Sequence, residues 1–226
     1  MATKTKDQNE LQQEKINQTV SKTEQLYNEN KAAFWGVIIG VIALGLIILA
    51  YQQFITKPKM AEAQEQMYPA EAAFRAGNFE AALNGDGNTL GFAEVINEYG
   101  SKAGKAAYLY AGICELQTKN YSEAVNYLKK YTGKDEILSA RAASCMGDAY
   151  VGLGDYKAAL AQFEKAAGIA DNAFTAGYLL KAAVVCEELG QKDKALSIYK
   201  QIKDKYPQSI EGYDVDKYIG RIEAAE

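Results

Sequence analysis

Between Lys31 and Lys57 the chain runs for 25 residues without a formal charge: AAFWGVIIGVIALGLIILAYQQFIT. No other feature restricts the fold as strongly. Its apolar heart, 32–51, is 20 residues long, about 30 Å as a helix, which matches the hydrocarbon thickness of a bilayer. Eleven of those residues are Leu, Ile, Val or Phe. At about −0.3 to −0.6 kcal/mol each they favour insertion by about 3 to 7 kcal/mol, before the glycines are discounted. Phe34 and Trp35 at one end, and Tyr51 and Phe54 at the other, stand where interfacial aromatic anchors belong. A soluble helix of this composition would need cover on every face. The pattern predicts a transmembrane helix over 32–56.

The 31 residues before it are polar and charge-balanced, with five lysines and five acidic residues. A long balanced tail and an apolar run of this length disfavour a cleaved signal peptide. No cysteine follows the run before Cys114, which argues against a lipoprotein anchor. Residues 1–31 therefore read as a flexible, cytoplasmic-type tail, with a weak helical stripe through Ile16, Val20 and Tyr27. The flanking charges do not orient the span: Lys15, Lys22 and Lys31 on one side balance Lys57, Lys59 and Arg75 on the other. Gly36 and Gly40 form a Gly-x-x-x-Gly pair that allows two spans to pack closely, as a homo-oligomer would.

The remaining residues, 57–226, must supply the function. Only three arginines occur in the chain, Arg75, Arg141 and Arg221, and the formal charge is −4. A nucleic-acid partner needs a cationic surface that this composition does not provide. Histidine is absent, which removes the commonest base near neutral pH and the commonest metal ligand. The three cysteines, Cys114, Cys145 and Cys186, lie in apolar stretches without a C-x-x-C spacing. They read as small core hydrophobes, with a Cys114–Cys145 disulfide allowed if their helices are neighbours.

Internal periodicity is the clearest signal in this region. Ala82, Ala124, Ala159 and Ala195 are spaced by 42, 35 and 36 residues. Three positions before them stand Phe79, Tyr121, Tyr156 and Lys192; five before, Gly77, Lys119, Gly154 and Gly190. Twelve before stand the small residues Ala70, Gly112, Gly147 and Ala183, and four after the last three come Leu128, Phe163 and Tyr199. Small residues let antiparallel helices approach, for instance at Gly147 and Ala159. Large ones fill the space between pairs, and glycines end helices. One such hairpin cannot bury its apolar face alone, so several stack. The segment from Met146 through Gly147, Tyr150, Gly154, Tyr156, Ala159 and Phe163 to Ala166 resembles a tetratricopeptide repeat nearly residue for residue. Departures fall at Lys192 and Cys186 in the last repeat and at Glu115 in the second. The first repeat is the most degraded, broken after Leu83 by Asn84-Gly-Asp-Gly-Asn88. The expected fold is all-α: one N-terminal transmembrane helix, then a tetratricopeptide-type solenoid of three to four helix pairs, closed by a C-terminal cap helix over about 213–225.

No constellation for catalysis, cofactor or metal emerges. Counted as a calcium loop from Asn84, the insertion has Thr89 where glycine is needed and Val95 where the bidentate glutamate belongs. Gly85-x-Gly87 lacks the third glycine and preceding strand of a dinucleotide loop. Glu187 and Glu188 are adjacent on a helix and cannot face one another across a substrate.

The tetratricopeptide resemblance implies a protein-binding inner wall built from the first helix of each pair. Carried onto this sequence, its candidates are Leu109, Ile113 and Leu116; Arg141, Ser144 and Asp148; and Leu180, Val184 and Glu187. Some of them could instead pack on neighbouring helices or on the cap. The Lys and Asn pattern that clamps a chaperone's terminal carboxylate is missing. As a whole the chain resembles the bacterial inner-membrane proteins related to the ancillary SecYEG translocon subunit. The stretch 82–100, with Gly91-Phe and Glu98-Tyr-Gly100, is similar to versions from Bacteroidota. That resemblance implies periplasmic repeats and, as partners, translocon subunits or chaperones that receive secreted proteins. A scaffold for envelope assembly or division is the main alternative. An accessory subunit of an envelope enzyme is disfavoured by the missing histidine and nucleophile–base pair.

Overall fold

The computed structural model of the protein describes residue 27 and residues 30–169 and 171–224; the tail stripe through Ile16 and Val20 lies outside them. Every regular element among the described residues is helical. The chain divides into two compact units between Pro58 and Lys59.

The first unit is dominated by α1, Lys31–Tyr51, which has no buried residue. Its apolar side chains are uncovered all round: Val37 and Ile47 are 67% and 66% exposed. A helix apolar on every side and left bare is one that water does not stabilise. It is long and apolar enough to cross a membrane. A Cβ placed on Gly36 or Gly40 would meet nothing within 4 Å, so both lie on open surface. A π-helical turn, Gln52–Thr56, follows α1.

In the second unit the helices alternate in antiparallel pairs. They are α2 (Lys57–Arg75) and α3 (Phe79–Asn84), α5 (Lys105–Gln117) and α6 (Tyr121–Lys130), α7 (Glu136–Gly152) and α8 (Tyr156–Ile169), then α9 (Thr175–Glu188) and α10 (Lys192–Lys205). A last helix, α11 (Ile210–Glu223), packs on α10.

All four pairs turn on the same backbone device. Gly77, Lys119, Gly154 and Gly190 have positive φ, at 79°, 66°, 75° and 71°. Each donates its N–H to the carbonyl three residues back, and the next residue donates to the carbonyl five back. In the α7–α8 turn these are Gly154 to Val151 at 2.9 Å and Asp155 to Tyr150 at 2.9 Å. This closure satisfies carbonyls that the helix end would leave open. Lys119 is the exception in residue type: a Cβ in left-handed backbone is strained. There Thr118 Oγ donates to the carbonyls of Cys114 and Glu115, and Asn120 Nδ2 donates to the mostly buried Glu115 carboxylate at 2.9 Å. The glutamate in an aromatic position thus fastens the one turn that lacks its glycine.

Packing between the paired helices differs in one detail from the sequence expectation. The residue that Gly147 admits is Phe163: a Cβ on Gly147 would stand 2.5 Å from Phe163 Cε1. Gly112 receives Leu128 in the same way, its Cβ position lying 2.7 Å from Leu128 Cγ. Small residue and large residue, 16 positions apart, are the matched pair. The anchoring alanines Ala82, Ala124, Ala159 and Ala195 are all fully buried.

Three hydrophobic clusters result. The first joins α2 to α5 around Phe92, Val95 and Ala107. The middle one joins α5, α6 and α7 around Leu109, Leu128 and Met146. The last joins α8 to α11 around Phe163, Tyr199 and Ile202. Phe74 packs against the first and middle clusters, and Tyr150 against the middle and last.

The insertion in the first repeat is a tight loop followed by a helix. Asp86 closes it by accepting the N–H groups of Asn88 and Thr89 and the Thr89 hydroxyl. These hydrogen bonds hold its carboxyl below the ordinary carboxylate range. An additional helix, α4 (Phe92–Tyr99), then buries Phe92 and Val95. Phe92 stacks on Tyr110 at 5.2 Å, with Phe74 edge-on to both rings. The cysteines are all free thiols, Cys114 in the first cluster and Cys145 against the middle one, so the disulfide between them is not formed.

Candidate functional site

The repeats run one after another, so the first helices α5, α7 and α9 contribute to a common wall. A cleft of about 360 Å³ opens on it. It is lined by Ile113 and Leu116 from α5, by Ile137, Leu138, Arg141, Ser144, Cys145 and Asp148 from α7, and by Phe174, just before α9, with Tyr178 and Lys181. A neighbouring cleft of about 390 Å³ is walled by Val151, Tyr156, Phe163, Leu180 and Val184. Asp148 and Lys181 border both.

Their ion pair is the partition. Lys181 Nζ donates to Asp148 Oδ1 at 2.9 Å and to Oδ2 at 2.7 Å, and to Ser144 Oγ at 3.5 Å. The ammonium also lies 5.6 Å from the centre of the Phe163 ring. Arg141, exposed on α7, is bordered by apolar side chains. It makes no ion pair with any described residue. Burial pushes the Cys145 thiol up to about 11; the Asp148 carboxylate adds to this, while Arg141 and Lys181 oppose it. A thiol so held is protonated near neutral pH and is a poor nucleophile. Burial likewise raises the Tyr178 phenol, with Arg141 opposing.

The nine inner-wall residues expected from the sequence separate into three groups. Ile113, Leu116, Arg141, Ser144 and Asp148 come together in the first cleft. Leu180 and Val184 line the second. Leu109 and Glu187 line neither. Leu109 is 2% exposed inside the middle cluster. Glu187 is engaged by the last helix, accepting from Arg221 Nη2 at 2.7 Å and from the Tyr199 hydroxyl at 2.6 Å.

Sequence reasoning missed the apolar rim of the first cleft. Ile137, Leu138 and Phe174 are 49%, 38% and 54% exposed, and all three precede or begin their helices. It also missed Lys181, which no spacing rule pairs with a residue 33 positions away. Cys145 could have been found from helical spacing, since it lies four residues after Arg141. Among the described residues no group of three or more Cys, Asp or Glu side chains could hold a metal. What the wall offers chemically is a mixed surface: apolar ridges, one neutralised ion pair and one free guanidinium.

Residues 146–210, from within α7 to the start of α11, match the tetratricopeptide repeat family model. Solved structures of MamA are similar. One, at 21% identity and a TM-score of 0.56, covers 71% of this chain and 80% of its own. Another, at 21% identity and a TM-score of 0.55, covers 69% of this chain and 83% of its own. At that identity the likeness is one of fold. No curated protein matches the sequence.

Proposed function

We propose that this tetratricopeptide-repeat chain is a protein-interaction scaffold anchored in the bacterial inner membrane by α1. Its repeats lie outside the cytoplasm, associated with the protein-secretion translocon or with chaperones that receive secreted proteins. The observation that carries the scaffold reading is the pair of adjoining clefts, the first lined by α5, α7 and α9 and the second by α7, α8 and α9. Stacked helix pairs expose an extended wall of this kind, and such walls bind proteins. The bare apolar surface of α1 supports the anchor, and the resemblance of the sequence to translocon-associated repeat proteins supports the partner.

Photo-crosslinking in native membranes tests the proposal. A photoreactive side chain at Leu116 or Val184 is expected to give adducts with translocon subunits or secretory chaperones, and one at Lys165 on α8 is not. Adducts with envelope-assembly or division proteins in their place would replace the translocon by the alternative scaffold role. A reporter fused after residue 226 is expected to be active only outside the cytoplasm. Activity inside would overturn the periplasmic placement.

A further inference from the structure

The first cleft also carries a charge asymmetry. Lys181 is satisfied by both oxygens of Asp148, so those two charges cancel. Arg141 is left as the uncompensated charge of the cleft, one turn after the half-exposed Ile137 and Leu138, with Phe174 and Tyr178 lining the same cleft. The planar fork of a guanidinium fits a carboxylate with two parallel hydrogen bonds. The apolar wall does not stop at Arg141. Beyond the Asp148–Lys181 partition it resumes at Val151, Leu180 and Val184, so an occupant continues past the charge rather than ending on it.

We infer that the two clefts together take a peptide segment of a partner protein carrying an internal Asp or Glu flanked by apolar residues. The carboxylate pairs with Arg141. The flanking side chains lie against Ile137 and Leu138 on one side and against the second cleft on the other. This rests on the clefts being the protein-binding surface, and it adds the chemistry of what is bound.

The test uses the full chain in nanodiscs and three amide-capped, fluorescein-labelled peptide libraries. Their flanking positions are mixtures of Leu, Ile, Val and Phe, and the central residue is fixed as Glu, Gln or Lys. Fluorescence anisotropy is expected to show the Glu library binding about 10-fold more tightly than the Gln library, the difference one charge-assisted hydrogen-bonded pair makes. R141Q is expected to abolish that difference, and R141E to turn the preference towards Lys. The Arg141 side chain is exposed, so both variants keep the thermal transition of the parent.

Equal binding of the Glu and Gln libraries to the unaltered chain overturns the inference, as does an unchanged order in R141E. Either result leaves the clefts standing as a binding surface without charge preference. Failure of all three libraries also overturns it. Crosslinks at Leu116 and Val184 then decide whether the scaffold reading falls with it.

Discussion

Glu187 receives the guanidinium of Arg221 on both carboxylate oxygens, at 2.7 and 2.9 Å, and so ties the last helix to the end of the inner wall. The same Oε1 accepts the hydroxyl of the fully buried Tyr199 at 2.6 Å. Two helices, α10 and α11, therefore depend on one carboxylate of α9.

Removing the two partners is expected to have unequal effects. Arg221→Ala deletes a pair whose arginine side chain is 60% exposed, and lowers stability by about 1 kcal/mol or less. Glu187→Ala also leaves the Tyr199 hydroxyl buried and unpaired, at about 1–3 kcal/mol. Thermal unfolding followed by circular dichroism distinguishes them. Tyr199→Phe introduced into Glu187→Ala should recover part of the loss, and no recovery would show that the buried hydroxyl is not the cause.

Gly147→Ala puts a methyl group 2.5 Å from the Phe163 ring. The ring is 1% exposed, so the variant is expected to lose about 1–3 kcal/mol. Adding Phe163→Leu to Gly147→Ala should restore some of that, although Phe163→Leu alone destabilises. A double-mutant cycle with no coupling would refute the matched pair.

The shared turn makes opposite substitutions act in opposite directions. Lys119 carries φ 66° with a side chain attached, and Lys119→Gly is expected to stabilise the chain by about 0.5–1 kcal/mol. Gly154→Ala, at φ 75°, is expected to destabilise it by about 1–2 kcal/mol. Chemical denaturation of the pair checks both signs.

Stability should fall in alkali. Burial first, and the Glu115 carboxylate second, push the Cys114 thiol from 9.0 to about 12. Cys145 rises to about 11. Because the folded-state values lie above the unfolded ones, the unfolded chain releases these protons first as pH rises. The contribution is whole below pH 9.0 and is lost through about 11 for Cys145 and about 12 for Cys114. Each thiol in its window contributes a slope of about −1.4 kcal/mol per pH unit. The Tyr199 phenol, raised by burial and by Glu187, adds to the decline above its ordinary value. Replacing Cys114 and Cys145 by Ala should flatten the decline between pH 9 and 11, and an unchanged profile would contradict it.

The solenoid was legible from the sequence because its rules are local. Gly77, Gly154 and Gly190 mark turns for a backbone reason, whereas the match of Gly147 with Phe163 rather than Ala159 came from the packing. Even the departures at Lys119 and Glu115 belong to one helix end, where the structure shows them acting together. The wall was legible only in part. Whether Leu109 faces inward or into the core depends on where the next pair of helices packs, and helical spacing does not contain that rotation. Glu187 pairs with Arg221, 34 residues later, a contact that helical spacing does not contain either. The rim residues Ile137 and Phe174 sit at helix starts, where a periodic stripe has only begun.

Phe74 and Tyr150 each pack against two of the three clusters, and few other large side chains do so. In an array coupled only through neighbours, such residues set how far a local opening spreads. The first repeats, with their inserted loop and α4, can therefore melt while the segment from α8 to α11 stays folded. Hydrogen exchange should show this as a gradient along the chain, with steps where Phe74 and Tyr150 hand one cluster to the next. A partner seated across α5, α7 and α9 would erase the second step by bridging it from outside.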